Sequence, residues 1–221
     1  MPRLRLHSFS ISLDGFGTGD GLTAEEPFGH AGQRLHQWMF ATAMGRRMFG
    51  LDGGTTGVDN ELAEQAWQGI GAEIMGRRKF YTGPGPIPED WNGFWGPNPP
   101  FHTPVIVLTH QPHEPLTMEG GTTFHFRDST PAEALREAFE LAGGLDVRLG
   151  GGVSTVREFL DADLVDEFHV VVVPIVLGRG QRLWDGQEGL ESRFDIRMVP
   201  GDDGVTHLLG TRRRSSSDAG A

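Results

Sequence analysis

Cysteine is absent from this 221-residue chain, which excludes disulfides, thiolate nucleophiles and cysteine-held metals together. Positive charge is scarce. Nineteen Lys and Arg against 30 Asp and Glu give a formal net charge of −11, which argues against a sequence-independent nucleic-acid binder, since little would offset phosphate repulsion. A local basic pocket for a small anion remains compatible with that balance. No apolar run approaches the ~20 residues that span a bilayer, and the N-terminus lacks a signal-peptide core. The expectation is a soluble, cytoplasmic protein with no membrane partner. The nine histidines form no His-x-x-x-His pair and no compact cluster with carboxylates, so no metal site is expected.

Glycine, by contrast, is abundant, and its most informative use is Val147-Arg148-Leu149-Gly150-Gly151-Gly152-Val153-Ser154-Thr155. An apolar run meets three glycines and resumes with helical spacing at Val156, Phe159 and Leu160. This predicts a strand, a bare turn and a helix N-terminus, whose free N–H groups favour negative charge. The turn suits a phosphate or pyrophosphate, although a plain glycine-rich corner would read the same way. The dinucleotide fingerprint G-x-G-x-x-G belongs near the start of a βαβ unit. Here Thr155 takes the third glycine position and the motif lies two-thirds along the chain, so a standard Rossmann domain is not expected.

Most of the remaining sequence alternates strands with helices. Leu4, Leu6, Phe9 and Ile11 predict a strand ending at Ser12-Leu13-Asp14-Gly15, followed by a loop over 17–33. Leu35, Trp38, Met39 and Met44 predict a helix, and Asp59 is a candidate N-cap for another running to Ile70. Ala72–Met75, Val105–Leu108 and 123–126 read as strands, with a Gly-, Pro- and Trp-rich loop over 81–104. Thr130-Pro131-Ala132-Glu133 has the chemistry of a capped helix start. Phe168 to Pro174 is apolar on both faces and predicts a central strand. Two antiparallel strands follow, around Phe194–Met198 and Val205–Leu209. The domain is expected to occupy 1–211, with a flexible tail over 212–221. The pattern is one mixed α/β sheet covered by helices.

Several motifs also resemble a known family. Met75-Gly76-Arg77-Arg78-Lys79-Phe80-Tyr81, Val105-Ile106-Val107-Leu108-Thr109-His110 and Leu149-Gly150-Gly151-Gly152 are similar, in order, to three turns of the dihydrofolate-reductase-like fold. Ser12-Leu13-Asp14-Gly15-Phe16 and Val173-Pro174-Ile175-Val176-Leu177-Gly178-Arg179-Gly180 resemble the reductase domain of riboflavin biosynthesis. That resemblance, over roughly residues 4–211, implies a three-layer αβα domain with a mostly parallel sheet and antiparallel C-terminal strands.

It also implies NADPH bound across the carboxyl ends of the strands. Gly76, with Arg77 or Arg78, would meet phosphate oxygens, and Thr109 and His110 would lie beside the adenosine ribose. Gly150, Gly151, Gly152, Val153, Ser154 and Thr155 would follow the pyrophosphate. The alternative for the arginines is a solvated helix start, and for His110 an exposed loop.

On the substrate side the region Arg34–Phe40 lacks the carboxylate that dihydrofolate reductases carry, so dihydrofolate is a poor candidate. Asp14 is the acid chosen for catalysis, against an Asx-turn that shapes the strand end. Phe16, His36 and Trp38 are candidate pocket residues, with Trp38 equally suited to the core. Arg179 would bind a substrate phosphate or stand in a turn. The implied activity is NADPH-dependent reduction of an imine, a ribosylamino-pyrimidine or a related ring; the alternative is a non-catalytic NADP(H)-binding or regulatory protein. A homodimer is expected from the resemblance and from the apolar Val170–Val173 run.

Overall fold

The computed structural model describes residues 1–213. A nine-stranded sheet runs in the order β10-β11-β8-β1-β7-β3-β4-β6-β5. Its strands are β1 (Leu4–Ser12), β3 (Ile70–Gly76), β4 (Pro104–Leu108), β5 (Leu116–Thr117), β6 (Thr123–Arg127), β7 (Asp146–Gly151), β8 (Glu167–Val173), β10 (Phe194–Pro200) and β11 (Thr206–Arg212). The central strands are parallel, whereas β10, β11 and β5 pair antiparallel at the two edges. A separate ribbon joins β2 (Phe16–Thr18) to β9 (Gln181–Arg182). The helices are α1 (Gln37–Ala41), α2 (Ala43–Met48), α3 (Val58–Gln65), α4 (Arg77–Phe80), α5 (Pro131–Leu141), α6 (Val153–Asp161) and α7 (Leu190–Arg193).

Strand alternation sorts the apolar side chains into two faces. On one, Ile74, Ile106, Leu149 and Val170 pack against Ala134, Ala138, Val156 and Phe159 of α5 and α6. On the other, Val171 and Val173 meet Leu35, Trp38 and Ala63 from the α1–α3 region. Met75, Val105, Val107 and Phe124 on that second side gather Phe80, Tyr81 and Phe101 with the tryptophans of the 81–104 loop. The expected three layers are therefore present, and the long loop supplies part of one of them.

Local chemistry explains several boundaries. Thr130 and Glu133 form a reciprocal capping box at α5 with Pro131 in the first turn, as the sequence predicts. The helix expected through Met44 instead breaks at Thr42, whose side chain accepts from Gly45 N and starts α2. The 17–33 segment carries β2 and a 3-10 turn at Gly29–Leu35 rather than loop alone.

Asp59 is not an N-cap: Gly57 holds that place, and α3 ends at Gln65 rather than near Ile70. The Asp59 carboxylate is buried and accepts from His207 Nε2 at 2.8 Å and from the amides of Asp202 and Asp203. The final strand extends through Arg212, one residue into the expected tail; positions 214–221 lie outside the described residues. Among the described residues no helix is long and apolar enough to cross a membrane.

Candidate active site

The site begins where two strands part. β1 pairs with β7 only at Leu4, Arg5 and Leu6, while its pairing with β8 continues to Ser12. Beyond Leu6 the sheet opens, and β7 turns away through Gly150, Gly151 and Gly152 into α6. Gly151 has a φ of 107°, a conformation that only glycine takes without strain. A Cβ on Gly150 would collide with the Glu73 carboxylate and the Lys79 ammonium, whereas one on Gly152 would meet nothing within 4 Å. Gly152 is also the N-cap of α6 and offers no side-chain cap. No side chain caps the first amides of α6, and the turn beside them is open, as an anion seat requires.

A cleft of two lobes lies along this opening, and Arg78, Gly152, Ser154 and Gln181 border both. The larger lobe, about 430 Å³, brings together most of the predicted cofactor residues: Gly76, Arg77, Arg78, Thr109, His110 and Thr155, beside Gly152 and Ser154. Gly76 is required by packing, because a Cβ there would strike Thr155 Oγ1 and separate the first turn from the third.

The two arginines differ. Arg77 donates to the carbonyls of Tyr81, Gly83 and Gly85 and so ties down the following loop. Arg78 is exposed and, among the described residues, has no carboxylate partner. Thr109 is buried, and its Oγ1 accepts from Gln111 N at 3.2 Å. The His110 side chain is almost fully exposed beside Asp128, with 2.9 Å between Nδ1 and Oδ1. Val153, also predicted at the turn, is buried at 2 % exposure; its backbone, not its side chain, is what a ligand would meet.

The smaller lobe, about 190 Å³, is lined by His7, Ser8, Phe9, Ser10, His36 and Lys79 among others. His36 is the one predicted substrate residue that the structure places here. Burial, with the Lys79 charge, lowers its pKa to about 4, and Phe28 and Phe40 flank its ring at 4.7 and 6.2 Å. Lys79 Nζ donates to Glu73 Oε1 at 2.9 Å, and Arg148 Nε donates to Glu73 Oε2 at 2.7 Å. Arg148 also lies 3.6 Å over the Trp67 ring. Desolvation lowers the Lys79 pKa, an effect that the Glu73 carboxylate opposes.

Four predicted residues lie outside the cleft. Asp14 borders neither lobe. Its carboxylate accepts from Ser12 Oγ at 2.6 Å, Leu177 N at 3.1 Å and Gly178 N at 2.7 Å. Burial opposes its ionisation, but these hydrogen bonds outweigh it and hold the carboxyl at about 2. Asp14 is thus a long-range clip between the end of β1 and the 175–178 turn and not the expected local Asx-turn, since the amide two residues on, Phe16 N, donates to Ser12 Oγ instead. Phe16 is core, with Arg182 stacked 4.6 Å over its ring. Trp38 is likewise core, and its Nε1 donates to Ser10 Oγ at 2.9 Å, so it supports the lobe from behind. Arg179 stands exposed in its turn.

Fold and cleft together define a class: an α/β protein of the dihydrofolate-reductase type, with a two-lobed cleft where the strands part. The chain belongs to the RibD C-terminal domain family, whose model matches residues 6–200. Its fold is similar to a putative riboflavin biosynthesis protein from Shewanella sp. PV-4, with a TM-score of 0.56 and 20 % identity over 97 % of this chain and 100 % of that one.

A diaminohydroxyphosphoribosylaminopyrimidine deaminase/5-amino-6-(5-phosphoribosylamino)uracil reductase from Thermotoga maritima matches 96 % of this chain and 57 % of its own, with a TM-score of 0.55 and 17 % identity. Dihydrofolate reductase from Enterococcus faecalis, complexed with NADP(H) and RAB-propyl, matches 96 % and 97 % of the two chains at 0.52 and 16 %. The uncharacterized protein YyaP of Bacillus subtilis (strain 168) is 38 % identical over 56 residues, 25 % of this chain and 28 % of that protein. The chain thus spans little more than a quarter of this curated relative.

Proposed function

We propose that the protein is an NADPH-dependent reductase that acts on an imine, a ribosylamino-pyrimidine or a related ring. The observation that carries this reading is the meeting of the two lobes at one turn, with Arg78 and the uncapped α6 N-terminus shared between them. The residues suit such a cofactor. The amides after Gly152 favour pyrophosphate oxygens, and Arg78, without a carboxylate partner among the described residues, gives a cation for a further phosphate.

A bound reduced nicotinamide supplies a hydride. The chain's own part is alignment, exclusion of water and control of a proton. Gly151 and Phe9 bring the turn against β1, since a Cβ on Gly151 would lie 3.1 Å from the Phe9 ring. Lys79, its ammonium held by Glu73, borders the acceptor lobe and is the group we assign to protonate the nitrogen of a reduced C=N bond. Desolvation makes that ammonium a readier donor than an exposed lysine.

Titration with NADPH and NADH, followed by tryptophan emission, tests the reading. NADPH is expected to bind more tightly, and Arg78→Ala to weaken it at least about tenfold, the scale of one charge-assisted hydrogen bond. Arg77→Ala is expected to act mainly through stability, because its guanidinium holds loop carbonyls. If neither nucleotide binds, the reductase reading fails and the fold assignment stands. Binding without turnover on any ring or imine favours the non-catalytic alternative.

A further inference from the structure

The apolar positions of β1 fall at Leu4, Leu6, Phe9 and Ile11, and all four pack on the same core. An uninterrupted strand would send the second pair to the opposite face. A bulge reconciles them: Leu6 pairs with Phe168 and Phe9 with Val170, so His7 and Ser8 together stand opposite the single residue His169. Ser8 takes a left-handed φ of 55° to make it. Such a conformation is unfavourable for serine and concentrates at functional sites, where bulges re-aim side chains.

The consequence here is that four consecutive residues, His7 to Ser10, line the smaller lobe. Three polar atoms around the lobe are buried without a hydrogen-bond partner among the described residues: His7 Nδ1, Ser8 Oγ and His36 Nδ1. Each unpaired atom costs on the order of 1–3 kcal/mol, so the lobe carries more hydrogen-bonding capacity than the folded chain satisfies. Burial, reinforced by Arg5, lowers the His7 pKa to about 2, and His36 lies at about 4, so both rings are neutral near pH 7. His7 Nε2 accepts from Arg5 Nε at 3.1 Å, which leaves its Nδ1 as a donor, whereas the His36 ring carries one donor and one acceptor. No carboxylate lines this lobe; its charged residues are Arg78 and Lys79. At about 190 Å³ it lies below the ~300 Å³ lower end of drug-sized pockets, a volume for one ring and not for an extended molecule.

We propose that His7, Ser8 and His36 form the ring-recognition site of the acceptor lobe, reading the hydrogen-bonding edge of a neutral or anionic planar heterocycle and rejecting a cationic one. Recognition of a neutral edge follows from the neutral imidazoles and the hydroxyl. Rejection follows from Arg78, and from the surplus positive charge behind the lobe, where the single Glu73 carboxylate serves both Lys79 and Arg148. The inference rests on the reductase reading only in naming the ring as the acceptor; binding of a ring is measurable without cofactor or turnover.

The test is calorimetric titration of the intact protein with 5,6-diaminouracil and, separately, with 2,4-diaminopyrimidine in its protonated form, each with and without NADPH. Two variants accompany it. Ser8→Gly removes the hydroxyl and suits the left-handed backbone, while His36→Phe removes both ring nitrogens and keeps the stacking with Phe28 and Phe40. The diaminouracil is expected to bind, the cation not to, and each variant to weaken the uracil about tenfold, the worth of a hydrogen bond in a dry site. NADPH affinity should stay within about twofold in both variants.

Equal binding of the two rings, or wild-type affinity for the uracil in both variants, overturns the proposal. Ring binding that depends on Ser8 and His36 in a protein that binds no NADPH upholds the recognition site and removes the reductase reading.

Discussion

Asp14 shows how a residue in a suggestive motif serves a different end. Its carboxylate is filled by Ser12 Oγ and two backbone amides, and these hold it at about 2, below its ordinary 3.8. A carboxyl depressed in the folded state adds stability that is present above the unfolded pKa and lost as pH falls through the folded one. Asp14→Asn should therefore flatten the acid limb of the stability curve between pH 3.8 and about 2. Urea unfolding at a series of pH values reads this directly, and matching limbs in the two proteins would refute it. The Ser-Leu-Asp-Gly pattern was visible in the sequence, but the 163-residue separation between Asp14 and Leu177 hid the partner. Glu73 and Arg148 were hidden for the same reason, being 75 residues apart. The bulge had left a trace: the apolar spacing on β1 jumps from two to three between Leu6 and Phe9, a parity slip that only a bulge absorbs.

At the scale of elements, α5 and α6 were legible because caps, glycine turns and apolar periodicity agree over the same residues. The helical segment after Leu35 was not, because Thr42 caps a second helix inside what periodicity alone reads as one. The β3–α4 and β7–α6 turns meet where Gly76 lies beneath Thr155, next to the Met75–Gly151 strand pair. Gly76→Ala should lower stability by about 1–3 kcal/mol, as overpacking in a fixed site does, and weaken NADPH binding with it. Adding Thr155→Ala removes the obstructing hydroxyl and should restore part of the loss. A double-mutant cycle on chemical unfolding measures that coupling, and strictly additive losses would argue against the contact.

For the whole molecule, the apolar Val170–Val173 run lies inside the sheet, as its two apolar faces predict, because β1 and β11 flank β8 on either side. We propose that the expected homodimer forms through the C-terminal edge strand β10, where Ile196 and Met198 are 40 % and 72 % exposed. Met198→Lys should then shift the species seen by light scattering at micromolar concentration from dimer to monomer, whereas a native protein already monomeric there would end the proposal. On one side of the opening stand β10, β11, β8 and β1; on the other, β7, β3, β4, β6 and β5. Three residue pairs at Leu4–Leu6 join them. The sheet is therefore two stiff plates sharing a short hinge, and the free end of that hinge is the cleft. A molecule seated there touches both plates and acts as a bolt across the joint. Its binding should slow amide exchange far from itself, along β1 and β7, more than in strands interior to either plate.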